Sequence, residues 1–332
     1  MSSSPLDQHE PQAWLRTLFP SYITHFAPQH LAFWAWLWAI VPGVRPTPFI
    51  GIWPRGGGKS TSAELANVAL GARGIRRYAV YVRATQELAD RSVENIAGLL
   101  ETTSLATYYP DLGRPQKGKY GNVKGWRRER LRTAKGFTVD AFGLDSAYRG
   151  AKVDEQRPDL IVFDDLDEKN DTVVTTARKI ETLTTSLLPA GAADLAVLGI
   201  QNLILPDGIF SQLADGRAEF LQDRLVSGPF PAVRNLTYEQ RAGRFVITGG
   251  EATWAEQDLT ICQSQITTWG LSAFLREAQH QVAAPAGGMY DHLVFRHCAW
   301  ADVPPLIRTV VWVDPAVTAH DLHPDYASSA IA

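Results

Sequence analysis

Phe49-Ile50-Gly51-Ile52-Trp53-Pro54-Arg55-Gly56-Gly57-Gly58-Lys59-Ser60-Thr61 is an apolar run that passes through three consecutive glycines into a lysine and two hydroxyl residues. A helix-compatible segment, Ser62 to Leu70, follows it. The pattern predicts a strand, a tight turn and a helix N-terminus. The first N–H groups of a helix have no intrahelical partner, and the helix dipole adds positive potential there, so such a turn is an anion cradle. Glycine lets the backbone close on the anion without Cβ collisions. The segment therefore predicts an ATP site made by Pro54, Arg55, Gly56, Gly57, Gly58, Lys59, Ser60 and Thr61. Lys59 is expected to reach the β- and γ-phosphates, and Ser60 to ligate Mg²⁺. Trp53 stands where the usual phosphate-loop pattern has a small residue.

The partner of such a loop is a second apolar strand that ends in acids. Asp159-Leu160-Ile161-Val162-Phe163-Asp164-Asp165-Leu166-Asp167-Glu168 has that form. A run of apolar residues closing on a carboxylate describes a buried parallel strand whose acid emerges at the sheet's C-terminal edge, where Asp164 is placed to hold Mg²⁺. A neighbouring acid is needed to polarise the attacking water. Asp165 is the first choice for that role and Glu168 the reserve.

Between these motifs, Arg77 to Arg83 reads as a buried strand and Gln86 to Leu100 as an amphipathic helix. Strand and helix in alternation imply a parallel sheet with right-handed crossovers. Trp14 to Val41 is rich in aromatics and reads as a helical cover, part of which is also suited to stacking on a base. Residues 1–12 are polar and read as a mobile terminus. Thr172 to Leu187 fits a helix, and Asp194 to Asn202 a further strand that closes on the amides Gln201 and Asn202. Those amides are suited to sense a γ-phosphate, and equally to cap a turn. Residues 207–265 lose the regular alternation and read as an irregular subdomain. Thr267 to Gln281 reads as a helix and Ala283 to Met289 as a linker.

Composition narrows the classes. The chain has 332 residues, 45% of them hydrophobic and 20% charged, values of a globular protein with room for more than one domain. A net charge of −3 excludes a global basic field, so any nucleic-acid contact is local. From Arg114 to Lys135, nine basic residues (Lys117, Lys119, Lys124, Arg127, Arg128, Arg130 and Arg132 among them) face one acid, Glu129. This loop or short hairpin is either a solvated face or a contact for a phosphate backbone. Cys262 and Cys298 fit no disulfide framework or zinc spacing. The apolar run Leu31 to Val41 is too short to span a bilayer, and its position and the acidic, proline-containing start before it do not resemble a secretion signal. The chain is expected to be soluble and intracellular.

With these motifs in order, the chain resembles the large terminase subunit of tailed bacteriophages, the motor that packages DNA into the capsid. The resemblance rests on six elements: Arg55 in the glycine loop, Asp164-Asp165, Ser146 to Gly150 with Arg149, Gly199 to Asn202, the helix bearing Phe274 and Glu277, and Val313-Asp314-Pro315-Ala316 with Asp325-Tyr326-Ala327. It implies Arg149 as a trans-acting arginine finger, Arg55 as a catalytic arginine, and Gln201 and Asn202 as a coupling motif. It also implies Asp314 as the first metal acid of an RNase H-like nuclease, with Asp325 in the same remnant; the remaining strands and metal acids are not in the sequence, so no DNA cleavage is expected.

The implied fold is α/β: a P-loop, RecA-like (ASCE) sheet, mostly parallel and flanked by helices, with a small lid subdomain and the start of an RNase H-like domain. The corresponding divisions are 1–45 (cover), 46–206 (ATPase core), 207–282 (lid), 283–308 (linker) and 309–332 (nuclease start). The implied function is ATP- and Mg²⁺-dependent translocation of double-stranded DNA. Implied partners are a portal protein, a small terminase subunit and further copies in a ring, with no membrane and with the host cytoplasm as the setting. A helicase-like or DNA-remodelling ATPase shares these motifs, as does a nucleotide-binding regulatory module without turnover.

Overall fold

The aromatic segment ahead of the glycines folds as two helices, α1 (Pro11–Leu18) and α2 (Pro28–Trp38), each opened by proline, whose missing N–H has no intrahelical partner there anyway. The computed structural model describes residues 4–22, 24–146 and 156–282. Trp14, Phe33, Trp34 and Leu37 are fully buried. The Phe33 ring lies 5.5 Å from Phe49 and 5.7 Å from Trp53, so the cover is anchored on the first core strand and on the turn that leaves it. Full burial of side chains of this size stabilises by about 1.5–3 kcal/mol each. The polar start, expected to be mobile, is tied down from residue 4 onward. Leu6 is buried, and Asp7 accepts a hydrogen bond from the Tyr109 hydroxyl, which itself accepts one from Trp14 Nε1.

Chain order then gives β1 (Phe49–Ile52), α3 (Lys59–Ala72), β2 (Tyr78–Arg83), α4 (Gln86–Leu100) and α5 (Thr103–Tyr108). Short strands follow: β3 (Gln116–Lys117), β4 (Val123–Lys124), β5 (Trp126–Arg127) and β6 (Arg130–Arg132). Next come β7 (Thr138–Gly143), β8 (Leu160–Asp164), α6 (Val173–Thr182), α7 (Leu188–Ala190) and β9 (Ala196–Gln201). The chain continues through α8 (Ile209–Asp215), β10 (Leu225–Ser227), β11 (Val233–Arg241), β12 (Arg244–Ala252), α9 (Leu259–Trp269) and α10 (Leu271–Gln279).

The central sheet runs β10-β1-β9-β8-β2-β7-β6-β5. From β10 to β7 every pairing is parallel, and β6 and β5 extend the edge antiparallel. This is the mostly parallel α/β sheet, flanked by helices, that the alternation of elements implies. Buried strands such as β8 and β9 are continuous apolar runs because both faces are covered. Helix α3 is buried nearly all round, and its alanines and Gly71 suit it to close packing between neighbours.

Three stretches differ from the sequence expectation. The basic segment 114–135 is two small hairpins, and β6 of the second pairs with β7, so it is sheet edge as well as loop. Residues 209–227 are not a separate irregular subdomain: α8 is buried in the core, and β10 pairs with β1 as the outermost parallel strand. Polar interruptions between those short elements hide them from periodicity. The single helix expected over 267–281 is two, broken at Gly270, whose φ of +84° and ψ of 153° are accessible only to glycine. Among the described residues no helix is long and apolar enough to cross a membrane.

Candidate functional site

Parallel strands deliver their C-terminal residues to one edge, and the register fixes which ones meet. Ile52 pairs with Gln201, and Asp164 with Ile200. Because β9 separates β1 from β8, their ends are two strand spacings apart, roughly 10 Å. The turn 53–58 fills the space beside them. Gly56 and Gly58 have φ of +84° and +72°, values that L side chains avoid. A Cβ on Gly57 would sit 3.0 Å from the Pro54 carbonyl oxygen. Trp53 is a core residue of this turn. It is fully buried and edge-on to His30 with ring centres 5.0 Å apart, so the large side chain at this position joins the loop to the cover.

Lys59 opens α3 and is nine-tenths buried, its Nζ donating to Pro54 O at 3.0 Å. Burial lowers its pKa, opposed by Asp165 and Asp164. Ser60 Oγ donates to Asp164 Oδ1 at 3.1 Å. Asp164 is completely buried and also accepts from the Tyr81 hydroxyl at 2.9 Å, with Arg83 Nη1 3.4 Å away. Burial and the charge of Asp165 push the Asp164 carboxyl up to about 6, against Arg83, Tyr81 and Ser60. Asp165 leaves the strand with φ of +49°, the left-handed conformation that aspartate tolerates better than most residues. Its carboxylate, 39% exposed, meets Arg83 Nη2 at 3.1 Å.

Asp165 and Glu168, the two acids considered for polarising water, lie in different surroundings. Asp165 lines the cleft beside the glycine loop, a hollow of about 470 Å³ also lined by Arg55, Gly56, Gly58 to Ser62 and Asn202. Glu168 does not line it, and pairs with Lys179 of α6 at 3.2 Å. Asp167, six per cent exposed, accepts from the backbone of Ile209 and Phe210 at 2.7 and 3.0 Å and caps α8.

The amides divide as well. Gln201 Oε1 accepts from the backbone N–H of Leu166 and Asp167, at 2.8 and 3.1 Å, and so holds the turn after β8. Asn202 reaches the cleft and donates to Glu277 Oε2 at 3.2 Å. Glu277, buried on α10, also holds Arg55 Nη1 at 2.9 Å and Lys169 Nζ at 3.1 Å. Arg55 is therefore tied to α10 through its side chain and through its own N–H, which donates to Glu277 O at 2.9 Å.

Arg149, Asp314 and Asp325 lie outside the described residues. Of the basic residues, Lys117, Lys119, Lys124, Arg127 and Arg128 are exposed. Arg130 is not free for a nucleic acid, since its Nη2 donates to Asp140 at 2.6 Å and its Nε does so in parallel.

Tyr81, Arg83, Glu64, His30 and Trp254 were not singled out from the sequence as site residues. Arg83 alone carried a signal there, as a charge closing an apolar strand. Glu64 of α3 is buried among Asn95, Ser92 and Arg83, and burial pushes its carboxyl up to about 7. His30 accepts from Ala27 N at Nδ1 and so donates from Nε2 to Gly57 O at 3.0 Å. Nothing in an aromatic helix marks a histidine as doing this.

Among the described residues no group of three or more His, Cys, Asp or Glu side chains is placed to hold a metal ion. A cation here would have one or two protein oxygens, completed by phosphate and water, which is how Mg²⁺ is usually bound. The Ser60 hydroxyl and Asp164 carboxylate are hard oxygen donors of that kind, side by side. No protein-family model matches the chain, and no curated protein matches it either.

Proposed function

We propose that the chain is a P-loop ATP hydrolase that couples hydrolysis to movement along double-stranded DNA, the packaging-motor activity implied by its motif order. The observation that carries this reading is the meeting of the glycine loop with the two acids, through the 3.1 Å contact of Ser60 Oγ with Asp164. The single strand β9 between the loop strand and the acid strand supports the additional-strand (ASCE) class of such enzymes.

In this reading the N–H groups at the start of α3 and the Lys59 amine hold the phosphates. Ser60 and Asp164 would hold Mg²⁺, which would supply charge neutralisation on the phosphate oxygens. Asp165 orients the attacking water and accepts its proton. Arg83 keeps the two carboxylates together before the ligand enters. Arg149 of a neighbouring copy supplies the arginine that meets the transition state, making turnover dependent on assembly with other copies, a portal protein and a small subunit. DNA cleavage is not part of the proposal.

Phosphate release by the full chain with Mg²⁺, with and without linear duplex DNA, tests it. DNA is expected to stimulate turnover, and Lys59→Ala or Asp165→Asn to lower it at least about 100-fold. Nucleotide binding with no phosphate release at any protein concentration would leave a binding module instead of an enzyme.

A further inference from the structure

Two aromatic residues from opposite ends of the described chain line the cleft beside the glycine loop: Tyr22, after α1, and Trp254, after β12. Neither completes the core. Tyr22 is 46% exposed, its ring edge-on to buried Phe19 at 6.0 Å. Trp254 is half-buried, and its Nε1 is already used, donating to His25 O at 2.8 Å. Its benzo edge comes within van der Waals reach of the loop, since Cη2 lies 3.6 Å from the point where a Cβ on Gly58 would stand. His30 backs the indole edge-on, ring centres 4.9 Å apart.

The segments bearing these rings are fastened to one another. Glu256 Oε1 accepts from the backbone N–H of Thr24 at 3.0 Å and of His25 at 2.7 Å, and from the Thr24 hydroxyl. Gln257, buried in the same turn, donates to Arg55 O at 2.8 Å. Cover, turn 254–257 and glycine loop are thus one assembly, which fixes an aromatic wall next to an anion cradle.

We infer that Trp254 and Tyr22 are the base-binding wall of the site and hold the purine of a nucleoside di- or triphosphate by stacking. The inference rests on the nucleotide reading given above. Stacking needs a rigid, partly dry ring face and no hydrogen-bond partner for the base. The indole meets both conditions, because its one polar atom is spent on the tie to His25. A wall of this kind responds to ring area more than to ring-edge pattern, so purines are favoured over pyrimidines.

Calorimetric titration of the full chain with ADP, CDP and inorganic pyrophosphate, all with Mg²⁺, separates the wall from the cradle. Trp254→Ala is expected to weaken ADP about 10-fold or more, as loss of a base–aromatic stack does, and to leave pyrophosphate within about twofold. Trp254→Phe should retain most of the ADP affinity. Tyr22→Ala, at an exposed position that does not endanger folding, should weaken ADP in the same selective way, and CDP should bind the unmodified chain more weakly than ADP. ADP affinity unchanged in both alanine variants would overturn the wall and leave the nucleotide site standing. Equal loss of ADP and pyrophosphate in Trp254→Ala, with no effect of Tyr22→Ala, would also overturn it, because the indole would then only support the loop. If neither ADP nor pyrophosphate binds the unmodified chain, the nucleotide reading itself falls.

Discussion

Glu64 carries a cost that pH reveals. It is 7% exposed, accepts from Asn95 Nδ2 at 3.0 Å, and has its carboxyl pushed up to about 7 by burial. Because the folded state holds this proton more tightly than the unfolded chain, its contribution to stability falls as pH rises through about 4.5 to 7 and stays low above that window. Glu64→Gln keeps an acceptor for Asn95 and cannot ionise. The variant should therefore be more stable than the unmodified protein at pH 8, by up to about 3 kcal/mol, with the difference vanishing toward pH 4. Urea unfolding of both proteins at the two pH values, without metal, measures it. Residues of this kind were hidden in the sequence, since a glutamate one turn into a helix looks like any solvated residue. The meeting of Lys59, Ser60 and Asp164 was legible because it depends on backbone geometry that glycines and a strand end announce.

At the scale of elements, α8 shows how a short helix is held by a distant residue. Its first two N–H groups are capped by Asp167, some forty positions earlier, and no side chain of its own N-cap, Gly208, can do this. Asp167→Ala should cost about 2 kcal/mol, the sum of a lost cap and buried N–H groups left without partners. Denaturant midpoints with an unchanged slope would measure that loss, and an unchanged midpoint would show that water caps the helix instead. The main strands were readable from their apolar runs, α4 from its helical spacing, and α3 from its place behind the glycine turn. Helix α8 and strand β10 were not, because seven residues and three residues are too short for a period to register and their stability comes from contact with β1.

For the whole molecule, the edge hairpins place exposed Lys117, Lys119, Lys124 and Arg127 close together along the chain, the second hairpin continuing the central sheet. The motor reading assigns this edge to a phosphate backbone. Simultaneous reversal of Lys119, Lys124 and Arg127 to glutamate should lower the salt dependence of duplex binding, measured as the slope of log K against log salt, by about 3. ADP affinity should not change. A slope equal to that of the unmodified chain would mark the hairpins as a solvated face. Arg130 is unsuited to this test, because its reversal would set a second carboxylate against Asp140.

Sequence by itself determined the α/β class, the glycine turn at the mouth of one strand and the acids at the mouth of another. These follow from local rules: apolar runs bury, glycines permit left-handed turns, and a charge closes a buried strand only at its end. Tertiary structure alone decided that Asp165 rather than Glu168 faces the cleft, that Arg83 and Tyr81 hold Asp164, and that Trp254 stands beside Gly58. Those relations join residues tens to hundreds of positions apart, set by strand order and by which carboxylate a neighbouring cation captures. No periodicity in the chain encodes either one.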